Sequence, residues 1–219
     1  MKRFVIVRLR SEHYTSTAKM STYSLSQSCP RSIEVGGICY TLNLSFDRVL
    51  SAFEILSKNE LDDIDLFDII FDWLVAAPKV RSLAVRAEVV NEIFDKLINF
   101  DKDTSNSEAE TISFDQDAPY IYAAFRQAYG IDLFKEQGKL QWWEFVSLLG
   151  ALPSDTRLCD IIDIRTRPVP VPNGKNQEQI SALLKLKTQY AIKNPVNKQS
   201  AQDGWDRLWG ILEKKAEER

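Results

Sequence analysis

SIEVGGICYTLNLSFDRVLSAFEIL, residues 32–56, decides the fold class because its hydrophobic period changes halfway along. Up to Leu44, β-branched and aromatic residues flank Gly36-Gly37, a dipeptide that supplies the positive φ of a two-residue turn. A β-hairpin is therefore predicted over 32–44. From Ser45 or Asp47, either of which can cap a helix, Phe46, Val49, Leu50, Phe53, Ile55 and Leu56 recur near helical spacing. Neither G-x-G-x-x-G nor G-x-x-x-x-G-K-S/T surrounds the glycines, so they read as a turn and not as a phosphate loop.

Working outward, Asp62 or Asp63 opens a second helix, whose stripe of Leu66, Ile69, Ile70, Trp73 and Leu74 stops before Pro78. A third is predicted over 81–100, with Val85, Val89, Ile93, Leu97 and Phe100 on one side. Residues 101–113, DKDTSNSEAETIS, lack aromatics and read as a solvated linker. Asp101, Asp103 and Ser105 match the first positions of a calcium loop, but Ile112 stands where a bidentate Glu is needed.

Past the linker, Asp117 is placed to cap a helix with Pro119 in its first turn and a stop at Gly130. Residues 140–152 concentrate Trp142, Trp143, Phe145, Val146, Leu148 and Leu149. Ser154 or Asp155 then opens a helix carrying Leu158, Ile161, Ile162 and Arg165, ended by Pro168. Val169-Pro170-Val171-Pro172 is a stiff extended spacer, since alternating prolines fix φ and remove backbone donors. Ile180, Leu183, Leu184, Lys187 and Tyr190 mark a helix over 177–192, and Trp205, Leu208, Trp209 and Leu212 a last one. The predicted fold is mainly α with a small N-terminal β-hairpin (α+β), as two helical modules, 20–100 and 114–219, joined by the polar linker 101–113.

Residues 1–19 are set apart. MKRFVIVRLR places basic residues before an apolar run, as a signal peptide does, but Arg8 breaks the run and no small-residue cleavage site follows. Met20 opens a cleaner start, so 1–19 reads as a disordered or mis-started extension.

With 44% hydrophobic and 27% charged residues the chain has material for a core. No apolar run approaches the ~20 residues of a spanning helix. Cys29, Cys39 and Cys159 cannot all pair within one chain and show no C-x-x-C spacing, so reduced thiols in a cytosolic protein are expected. The sole histidine, His13, lies in the extension, which excludes zinc sites built on two histidines. Charge is uneven: residues 1–19 carry a net +4, residues 20–118 a net −10 and residues 119–219 a net +3. An acidic front half repels a phosphate backbone, and the rear half has no Lys/Arg-dense strip, so no nucleic-acid partner is expected.

Few residues are arranged for chemistry. Glu60, Asp62, Asp63, Asp65, Asp68 and Asp72 form the densest acidic cluster, with Asp68 and Asp72 sharing a helix face. Paired carboxylates can hold magnesium or run acid/base chemistry, but acidic residues at a helix start also offset the macrodipole. Arg157, Arg165 and Arg167 either gather around an anion or pair with Asp155, Asp160 and Asp163. Trp142 and Trp143 leave a helix about 100° apart, so one belongs to the core and the other is a candidate interface anchor. The candidate partner-binding residues are Trp142, Trp143, Phe145, Arg165, Arg167, Asp68 and Asp72; no catalytic, cofactor-binding or metal-binding residue is assigned.

Three stretches carry a resemblance: SIEVGGICYTLNLSFDRVL at 32–50, FDQDAPYIYAAFRQAYGIDL at 114–133 and GKLQWWEFVSLLGALPSDTRLCDIIDIRTRPVP at 138–170. Over 21 to about 192 the chain resembles the siphophage gene product fifteen family, tail-assembly-chaperone-like proteins of phages of Gram-positive bacteria. The resemblance implies a non-enzymatic role in tail morphogenesis in the host cytoplasm, without a cofactor. Its implied partners are the tape-measure protein and the major tail protein, with self-association a further option and no membrane or nucleic acid involved. A structural head-tail or tail-completion protein retained in the virion is the alternative, and a metal-dependent enzyme using the 60–72 cluster a third reading.

Overall fold

The computed structural model describes residues 30–57, 63–98 and 111–193. The extension at 1–19, positions 101–110 of the expected linker, Glu60 and Asp62 of the acidic cluster, and the expected helix at 205–212 lie outside the described residues.

Strands β1 (Ser32–Val35) and β2 (Ile38–Leu42) pair antiparallel with Val35 opposite Ile38. Gly36 and Gly37 take φ of 58° and 78°, the left-handed pair that closes a tight hairpin and that a Cβ would strain. Strand alternation then buries Ile33, Val35, Tyr40 and Leu42 on one face. The structure adds a strand that the sequence reading did not contain. β3 (Val75–Ala77) pairs antiparallel with the other side of β2, giving the order β1-β2-β3. Three residues are too short to display a period of two, and their partner is remote in sequence, so local pattern could not reveal them.

Helix α1 (Phe46–Ser57) buries Phe46, Val49 and Ala52, and α2 (Asp63–Leu74) buries Phe67, Ile70, Phe71 and Leu74. α2 runs directly into β3, where the Asn43 N–H donates to the Leu74 carbonyl. The third predicted helix resolves into α3 (Leu83–Ile93) and a π-helical turn, Phe94–Ile98. Ile93, Phe94, Leu97 and Ile98 are all buried, while Val85 is only half-buried.

The remaining helices are α4 (Ala118–Tyr129), α5 (Trp142–Gly150), α6 (Arg157–Thr166) and α7 (Gln177–Gln189). α4 ends at Gly130 as predicted: with φ at 68°, its N–H donates to Arg126 and the next N–H, of Ile131, to Phe125. Two predicted caps differ. The Asp117 carboxylate does not cap α4 but accepts from the Ser113 N–H and from Arg165. α6 is capped by Thr156, whose Oγ1 accepts from the Cys159 N–H, and not by Ser154 or Asp155.

α5 is bound to the start of α1. The Trp142 N–H donates to Leu44 at 2.8 Å, the Phe46 N–H to Leu140 at 3.0 Å, and the Gly138 N–H to the Asp47 carboxylate. Around this junction the aromatic rings converge. Phe145 stacks on Phe46 at 5.0 Å and on Phe125 at 5.2 Å, while Trp142 meets Phe53 and Phe114 edge-on. Phe53 in turn meets Phe94. One hydrophobic cluster thus runs from Ile33 to Leu158 and draws side chains from both sides of 101–110. Each such ring contributes about 1.5–3 kcal/mol by burial, so packing and not intrinsic propensity holds the nine-residue α5.

Candidate partner-binding surfaces

The seven candidate residues do not converge on one site. Trp142 and Phe145 lie inside the aromatic cluster, where the Trp142 indole N–H also donates to the Ile98 carbonyl. Their burial makes them core residues, which supply no contact surface unless the core opens. Trp143, one position on, is half-buried, as the 100° step between adjacent helical residues requires.

Arg165 is also structural. Its guanidinium is 8% exposed and meets the 1% exposed Asp117 carboxylate through a two-pronged contact of 2.6 and 2.8 Å. The same side chain donates to the Thr111 carbonyl and to the Tyr190 carbonyl. It therefore ties together the approach to α4, α6 and the end of α7, instead of pairing with Asp155, Asp160 or Asp163. Its neighbours follow the local-pairing expectation: Arg157 meets Asp160 and exposed Arg167 meets Asp163. Arg157 also donates to the Tyr190 hydroxyl at 2.7 Å, chiefly through which its pKa is held above the ordinary arginine value. No shared anion site forms among the three.

Asp68 and Asp72 do share a face of α2, as their spacing predicts. Both are about half exposed, and Arg86 lies 3.1 Å from Asp68 and 3.7 Å from Asp72, while Lys79 pairs with Asp72 at 3.0 Å. The face therefore carries matched ion pairs. Among the described residues, no three His, Cys, Asp or Glu side chains stand close enough together to hold a metal ion.

The same helix presents what the sequence reading passed over as core. Ile69 and Trp73, one turn apart, are 40% and 39% exposed beside the two carboxylates. Arg48 of α1 lies 4.8 Å over the Trp73 ring and donates to the Trp73 carbonyl at 2.6 Å. Periodicity puts Ile69 and Trp73 in the same apolar stripe as Ile70 and Leu74 and does not tell which edge of that stripe stays in water. A further apolar area is offered by α7, where Leu184 and Leu186 are exposed.

A cleft of about 460 Å³ opens between the β2–β3 end of the sheet and the approach to α5, lined by Arg31, Leu42, Asn43, Ala76, Gly138, Lys139 and Gln141. Its lining holds two cationic side chains, Arg31 and Lys139, with the amides of Asn43 and Gln141, and no carboxylate, thiol, hydroxyl or imidazole side chain. Among the described residues no helix is long and apolar enough to cross a membrane.

The family model described as bacteriophage Gp15 protein matches residues 25–192. No curated protein and no solved structure matches the chain.

Proposed function

The chain belongs to the bacteriophage Gp15 protein family, a family of phage structural or morphogenesis proteins, and from that premise we propose that it is a tail assembly chaperone. In this reading it binds the tape-measure protein, the major tail protein or both, in the host cytoplasm, and holds them until the tube polymerises. The observation that carries it is the outer face of α2. Large apolar side chains, Ile69 and Trp73, stand in water at helical spacing, flanked by ion-paired carboxylates and braced by Arg48. A braced half-exposed tryptophan ringed by polar groups is the composition of a protein-binding anchor, because docking removes its remaining surface from water at little entropic cost. Such a face suits an amphipathic helical partner, which lays its own apolar stripe along it.

Co-expression with the tape-measure and major tail proteins, followed by pull-down, tests the reading. Retention of at least one is expected, and Trp73→Ala in the full chain should weaken that retention by roughly tenfold or more while the variant stays folded, as read by its circular dichroism. Failure to retain either partner would overturn the assignment. Mass spectrometry of purified virions separates a chaperone, expected absent or far below stoichiometry, from a structural component that stays in the particle.

A further inference from the structure

The cleft at the β2–β3 end of the sheet carries charge that its walls do not balance. Arg31, just before β1, and Asn43, just after β2, stand on the sheet side, while Gly138, Lys139 and Gln141 line the side leading to α5. Elsewhere Arg86, Arg157, Arg165 and Arg167 each meet a carboxylate. Among the described residues Arg31 and Lys139 meet none, and both are exposed. Lys139 gives one donor to the Lys135 carbonyl at 2.7 Å and keeps two. The carboxylates bonded to this wall are engaged with backbone instead: Asp47 accepts from the Gly138 N–H and Glu144 from the Gln141 N–H. Although residues 20–118 carry a net −10, the cleft is a local inversion of sign.

We propose that this cleft binds a short acidic segment of another protein, with carboxylate side chains held by Arg31 and Lys139. The forked guanidinium and the ammonium both form charge-assisted bonds to carboxylates. Between them the Asn43 amide, which has no side-chain partner among the described residues, offers a donor and an acceptor to a peptide group. A phosphate fits less well, because phosphate sites gather backbone N–H groups, and here those of Gly138 and Gln141 are already given to Asp47 and Glu144. About 460 Å³ is within the ~300–1,000 Å³ of ligand sites. The walls meet at the seam where the Trp142 N–H donates to Leu44 and the Phe46 N–H to Leu140. A segment bridging Arg31 and Lys139 therefore ties the chain before 101–110 to the chain after it.

Fluorescein-labelled hexaglutamate added to the full chain tests this at about 0.05 M salt, where screening is weak. A saturable rise in anisotropy is expected, with slower hydrogen exchange confined to residues 42–46 and 138–142. Arg31→Glu combined with Lys139→Glu should weaken binding roughly tenfold or more. Lys175→Glu combined with Lys185→Glu, an equal charge change at exposed positions outside the cleft lining, should alter it by less than about twofold. Trp73→Ala should leave peptide binding intact, so this proposal and the chaperone reading fail separately. Absence of saturable binding would overturn the proposal, as would equal losses in the two charge-reversed variants, which would show unspecific attraction only. Displacement of the peptide by an equal concentration of inorganic phosphate would overturn it too, since a small anion would then be the occupant.

Discussion

Arg165 shows how much a single side chain can hold in place. Its fork closes on Asp117 and its remaining donors reach Thr111 and Tyr190, so one guanidinium on α6 satisfies groups from the approach to α4 and from the end of α7. Breaking a buried pair from one side leaves an uncompensated charge. Arg165→Ala is therefore expected to lower unfolding free energy by about 3–5 kcal/mol, measured by urea denaturation. Arg165→Lys keeps the charge but loses the planar fork, and should recover only part of that loss. If Arg165→Ala unfolds at the parent's urea midpoint, the proposed staple does not exist. The sequence indicated an arginine near a run of aspartates; only the fold showed that its partner is Asp117, 48 positions away.

Among the elements, α6 gives the clearest case of local chemistry setting a boundary. Thr156 is buried, donates its hydroxyl to the Pro153 carbonyl and accepts from the Cys159 N–H. Thr156→Ala removes both bonds, and a loss of roughly 1 kcal/mol is expected from the cap alone, read as a lower melting temperature with helical signal retained at 20 °C. The boundary had been legible to within two residues, because Ser, Asp and Thr after Pro153 all have capping side chains and only burial selects among them. β3 was illegible for a different reason: its three residues acquire strand geometry from β2 and from the end of α2, not from their own pattern.

Across the whole molecule, the aromatic cluster couples the sheet end to the later helices. Phe145 touches Phe46 before residues 101–110 and Phe114, Phe125 and Trp142 after them. Phe145→Ala should destabilise the protein by about 3–5 kcal/mol, and the loss should appear in amides of α1 and of α4 alike. A loss of hydrogen-exchange protection confined to α4 through α6 would show that the coupling through Phe145 is weak. Trp73→Ala, by contrast, removes a ring that is 39% exposed, so its loss of stability should be smaller than that of Phe145→Ala and its main readout is binding.

The sequence by itself determined what local chemistry dictates: the Gly36-Gly37 hairpin, the helical periods, the stop at Gly130, the mainly α class and the motifs that carry the family resemblance. These rest on φ preference and on hydrophobic period, both of which act within a few residues. Tertiary structure decided which surplus apolar residues were left in water, that Trp142 and not Trp143 is the core ring, where Arg165 found its counter-charge, and that β2 has a second neighbour. Each of these depends on elements far apart in the chain meeting in space, and hydrophobic period carries no information about which face meets which.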